Sequence, residues 1–160
     1  MWCAVLDDQL IGPFILEGRL TGEAHLRFLQ EELLRLLEDV RLNKRGRMYF
    51  QPDGAPHFLR VVRNFLNYHF SGRWIGRGGP HNWPARSPDL SPLDYCVWGW
   101  MKELVYSVKV GTRDALLGHI LEAAYRIRNT QGKPQRATRA VHNRAVACVA
   151  AGGGIFENQL

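Results

Sequence analysis

Cysteine is scarce in this chain. Cys3, Cys96 and Cys148 are spread over 160 residues, which suits neither a disulfide framework nor the close cysteine pairs of a zinc site. They read as buried free thiols. No apolar run approaches the ~20 residues that a membrane-spanning helix needs, so membrane readings drop out. The opening Met1-Trp2-Cys3-Ala4-Val5-Leu6 has no basic region and meets Asp7-Asp8 too soon for the apolar core of a signal peptide, so nothing argues for secretion. The histidines at 25, 57, 69, 81, 119 and 142 are scattered and form no two-histidine metal spacing. Acids are missing altogether between Ala123 and Phe156. No internal repeat is present.

What is there is a basic chain of single-domain length, with net charge +6 and a pI near 9.6. That balance points to a polyanionic partner in general terms. Its distribution says more, because Arg126, Arg128, Lys133, Arg136, Arg139 and Arg144 accumulate in the acid-free tract. Such a tract is either a solvated helix face or a track for phosphates.

Along the chain, "WCAVL" and "LIGPFIL" read as two short strands turning through Asp7-Asp8-Gln9, with Gly12-Pro13 bending or edging the second. Thr21 precedes Leu26, Leu29, Leu33, Leu36, Leu37 and Val40 at helical spacing, which predicts a helix from Gly22 to about Val40. "RLNKRGR" reads as a basic turn and Met48-Tyr49-Phe50 as a buried strand. Phe58, Val61, Val62, Phe65, Leu66 and Phe70 mark the next helix, and Trp74-Ile75 a brief strand. The Gly- and Pro-rich "GRGGPHNWPARSPDLSP" is a long loop. From Leu93 an aromatic-rich helix follows; Thr112 caps another, and the last runs roughly from Gln135 to Ala150 before three glycines. This order predicts an α/β fold with a mixed sheet flanked by helices, in which ligands gather at strand ends.

Two aspartates have unusual settings. Asp53 ends the Met48–Phe50 strand and Asp89 follows the Pro-rich loop, so a strand-on-helix fold can bring them together. A carboxylate pair of this kind holds Mg²⁺ or Mn²⁺, which prefer oxygen ligands. Both acids also stand in turn sequences, Asp53-Gly54 and Pro88-Asp89, and from spacing alone the turn reading is the better of the two. "GRGG" at 76–79 lacks the Lys-Ser/Thr ending of a phosphate loop.

The wording of "LDDQLIGPFILEGRLTG", "FQPDGAPHF", "GRWIGRGGP", "WPARSPDLSPLDYCVWGWMKELVY" and "GGGIFE" resembles the catalytic domain of mariner-type DNA transposases, over nearly the whole chain. The resemblance implies a ribonuclease-H-like fold of the DDE group. It implies that Asp53 and Asp89 are the second and third catalytic acids, binding Mg²⁺ or Mn²⁺. Asp94 matches a family position outside the acid triad, where capping of the Leu93 helix is the expected role. DNA is the implied partner and the nucleus the implied location. Arg73, Arg77 and Arg86 are candidate contacts to a DNA backbone, while Trp74 beside the first two reads as core.

Departures from the family pattern accompany these matches. Pro52 stands where the family usually has histidine, and the loop beyond Asp53 is one residue short. The first acid belongs to a strand preceding Trp2, as does the helix-turn-helix DNA-binding region, and neither lies within these residues. In the implied fold that strand is the central one, between the strand at Trp2 and the strand at Phe50. Its absence leaves those strands to pair directly or expose edges that invite self-association. The expectations are therefore a partial transposase catalytic domain over residues 1–160, marginal as a monomer, with impaired cleavage and strand transfer. A non-catalytic basic DNA-binding or interaction module is the alternative.

Overall fold

The alternating and helical patterns translate into a computed structural model that describes residues 1–52, 60–84 and 87–160. It divides into two compact units, Met1–Ile15 with Ser87–Leu160, and Leu16–Arg86.

The first unit begins with an antiparallel hairpin, β1 (Trp2–Leu6) and β2 (Gln9–Phe14). Leu6 pairs with Gln9, so the turn is the two-residue kind that requires positive φ, and Asp7 supplies φ 54°. The register slips by one residue between Trp2↔Phe14 and Ala4↔Ile11. The extra residue lies at Gly12-Pro13, a cis peptide, and makes a bulge. Only glycine fits there: at φ 85° an added Cβ would lie 3.0 Å from the Trp2 carbonyl oxygen.

Helices cover this hairpin. A π-helical turn, Leu93–Val97, leads into α5 (Trp98–Val105), and α6 (Arg113–Asn129) follows, with the Thr112 hydroxyl accepting from the Ala115 N–H at 3.1 Å. The last helix, α7 (Lys133–Ala150), starts after Gly132 with Pro134 in its first turn, where a missing N–H is harmless. Val97, Met101 and Val105 recur every four residues, as do Ala123 and Ile127, and these stripes meet Cys3 and Leu10 of the hairpin in one core. Polar ties reinforce it. Arg128 of α6 donates to the carbonyls of Leu10 and Gly12, and the Thr138 hydroxyl of α7 donates to the Asp7 carbonyl at 2.9 Å. Burial pushes the Cys3 thiol up to about 11.

In the second unit Thr21 caps α1 (Gly22–Phe28), accepting from the Ala24 N–H at 3.2 Å. This helix widens into a π-helical turn at Leu29–Leu33 and closes as α2 (Leu34–Leu36). Regular helix thus ends short of Val40, although Val40 remains buried. The expected basic turn is instead a short helix, α3 (Leu42–Arg47), because lysine and arginine favour helix and Gly46 falls only in its last turn. Helix α4 (Arg60–His69) buries Val62, Phe65 and Leu66 and packs on α1.

The strand expected at Met48–Phe50 reduces to a single parallel bridge between Phe50 and Trp74, and Ile75 bridges His81. Pro52 lacks the N–H needed to carry a ladder further. Among the described residues, β1 and β2 form the one named sheet, and β1 has no second partner strand.

Candidate functional site

Asp89 sits on a 3₁₀ turn, Pro88–Leu90, anchored by buried Leu90 and closed by the Ser91 N–H on the Pro88 carbonyl at 3.0 Å. Its carbonyl accepts from the Arg144 guanidinium of α7 at 2.9 Å. Arg144 also lies over the Tyr95 ring, 4.1 Å from its centroid, and 3.9 Å from the Glu157 carboxylate. Tyr95 in turn donates to the Ala137 carbonyl at 2.5 Å. Burial raises the Tyr95 phenol to about 12, with Cys96 adding to the rise and Arg144 opposing it. Cys96 is raised by burial as well. One guanidinium therefore joins the Asp89 turn, the helix that follows it and the "GGGIFE" tail, where Phe156 is fully buried.

Charge and geometry make this network worth more than its surface contacts. A hydrogen bond from a charged donor contributes about 1.5–3 kcal/mol, and a partly desolvated cation–π contact about 0.5–2 kcal/mol. The Glu157 pair is exposed on the acid's side and contributes little. Sequence reading grouped Arg144 with the basic tract and missed its link to Asp89. Asp94 is exposed in the first helical turn and makes no capping bond. The carbonyl of Ser91 instead accepts from the N–H groups of Asp94 and Tyr95, each at 3.0 Å, so the expected cap is not formed.

In the other unit, Trp74 is fully buried, its indole N–H donating to the Asn67 side-chain oxygen at 2.9 Å. Gly76 and Gly79 of "GRGG" lie against its ring, and Gly78 lies against the Arg63 side chain. A Cβ at Gly79 would come within 2.7 Å of the ring, and one at Gly76 within 3.1 Å of the ring and 3.2 Å of Pro52. These glycines serve close packing of backbone on an aromatic face. Pro52, the departure before Asp53, is itself buried.

Arg73 directs one guanidinium nitrogen to the carbonyls of Arg45 and Met48, at 3.3 and 3.2 Å, where α3 ends. Arg77 is exposed. Asp53 and Arg86 lie outside the described residues. Among those described, no group of three His, Cys, Asp or Glu residues is placed to hold a metal ion. Asp89 offers one carboxylate, and the described residues alone do not complete a metal cage.

Neither protein-family models nor curated protein sequences give a match to the chain. Solved structures do. One similar structure is the Mos1 transposase catalytic domain with raltegravir and Mn, at TM-score 0.76 and 23% identity, over 94% of this chain and 74% of that one. The fold is that of a mariner transposase catalytic domain. A second structure, the crystal structure of the Mos1 mariner transposase catalytic domain, agrees at TM-score 0.75 and 22% identity over 94% and 72% of the two chains. The α/β class expected from the element order agrees with that fold, but the expected mixed sheet is, among the described residues, a two-stranded antiparallel hairpin with isolated parallel bridges elsewhere.

Proposed function

We propose that this chain derives from a mariner-type transposase, that its partner is DNA, and that its 160 residues alone are impaired in metal-dependent DNA cleavage and strand transfer. The observation that carries the reading is the fold likeness over 94% of the chain, joined to the family motifs in its sequence. Asp53 and Asp89 are the carboxylates that would hold Mg²⁺ or Mn²⁺, the ion serving to stabilise the attacking and leaving oxygens. The two carboxylates within residues 1–160 by themselves offer fewer oxygens than a hard dication takes. Residues 1–160 then form a partial catalytic domain acting in the nucleus. Of the arginines expected on DNA, Arg77 and Arg86 are the better candidates, because Arg73 already serves two backbone carbonyls.

The test is binding to mixed-sequence duplex DNA across a salt series. Affinity should fall linearly on a log–log plot as salt rises. No binding at low salt would remove DNA as the partner. A second reading, a basic module with no chemistry, is favoured by the acid-free tract from Ala123 to Phe156; identical binding with Mg²⁺ and with chelator would support it. Self-association through the edge of β1 belongs to the same proposal. Sedimentation giving one monomeric species at all concentrations would rule it out.

A further inference from the structure

The cations of the acid-free tract have separate fates. Arg126 pairs with Glu122 at 2.7 Å, Arg128 serves the β2 carbonyls, Lys133 lies over Trp100 at 4.7 Å, and Arg144 holds the Asp89 turn. Arg136 and Arg139 differ. Both are exposed on α7, and among the described residues neither has an ion-pair partner. An open groove of about 650 Å³ runs beside the same helix, lined by His142, Asn143, Arg144, Ala147 and Leu160 among others. Helical spacing sets Arg136 one turn before Ala140, which also lines the groove, and Arg139 one turn before Asn143. The inner end of this stripe is Arg144, bonded to the Asp89 turn.

Resting on the reading of DNA as partner, we infer that the α7 face carrying Arg136 and Arg139, with the groove beside it, binds the phosphodiester backbone of a DNA strand running toward Asp89. Two unpaired guanidiniums on one helix face form a cationic row, and the open groove beside them offers His142, Asn143 and Arg144 among apolar side chains, contacts that follow a chain of phosphates without demanding a base sequence. Helix α7 carries no acid of its own, so a polyanion on the Arg136–Arg139 face meets no carboxylate from that helix, and Glu157 stands at the Arg144 end.

The experiment measures binding of a fluorescent mixed-sequence duplex by the full chain over a salt series. Arg136→Gln with Arg139→Gln should weaken binding about tenfold to a hundredfold near 0.1 M salt and make the salt slope shallower by about 1.8. The matching Arg→Lys pair should keep the wild-type slope, since slope counts charge. A control pair in the other unit, Arg19→Gln with Arg27→Gln, should leave it unchanged. An unaltered slope in the α7 Gln pair, or an equal loss in the control, overturns the assignment while leaving DNA as the partner. Failure of the wild-type chain to bind overturns both. Circular dichroism checks that all pairs share the wild-type fold.

Discussion

In the Leu16–Arg86 unit the glycine-rich segment is fixed by the aromatic ring it lies against, whereas in the hairpin unit the Asp89 turn is fixed by a guanidinium 55 residues further on. The first arrangement is local and steric: Trp74 and Gly79 are five positions apart, and removing the ring takes away the face on which Gly76 and Gly79 pack. The second is remote and electrostatic. One charged group there serves three elements at once, so its loss loosens the turn without opening a large cavity. The Gly-rich stretch and the Asp89 turn are thus held by quite different forces, and the two should fail differently under mutation and pH.

The largest effect should come from Trp74→Ala, at about 3–5 kcal/mol, measured by urea denaturation; a loss under about 1 kcal/mol would break the steric half of the contrast. Alkaline pH should come next, and it acts on the hairpin unit, which holds Cys3, Tyr95 and Cys96. Burial raises the Cys3 thiol from 9.0 to about 11. The folded state therefore keeps its proton where the unfolded chain has released it, and stability present below pH 9 falls as pH rises toward 11, by on the order of 2–3 kcal/mol. Tyr95 continues the decline toward about 12. Cys3→Ala should flatten the lower part of this curve, and an unchanged curve would contradict the assignment. Arg144→Ala should cost about 2 kcal/mol in the same denaturation experiment, with Arg144→Lys recovering only part, because an ammonium cannot both reach a carbonyl and stack its plane on Tyr95. Full recovery by lysine would reduce the network to simple charge.

Features set by neighbours in sequence were legible. Thr21 and Thr112 precede their helices and cap them, and the hairpin turns through Asp7-Asp8 as its pattern requires. Trp74 reads as core and is core. Features set by distant partners were not. Nothing near Arg144 announces Asp89, and nothing in "GRGG" announces that Gly76 and Gly79 pack on the Trp74 ring. The Met48–Phe50 run has strand composition, yet pairing needs a partner strand and a continuing N–H, and Pro52 supplies none. Asp94 fails as a cap because the π-helical turn places it inside the helix start, where Ser91 supplies the accepting carbonyl. For the candidate site, the Asp89 turn is visible in the sequence as "SPDLSP", while the charge that holds it comes from Arg144 in α7, 55 residues further on.

The proposal that this chain keeps a transposase-like fold with impaired chemistry meets its test in DNA nicking in Mg²⁺ and in Mn²⁺. Supercoiled DNA would be incubated with the wild-type chain and with Asp89→Ala. No cleavage should depend on Asp89, so the two proteins should give the same background. Metal-dependent nicking by the wild-type chain that disappears in Asp89→Ala would contradict it.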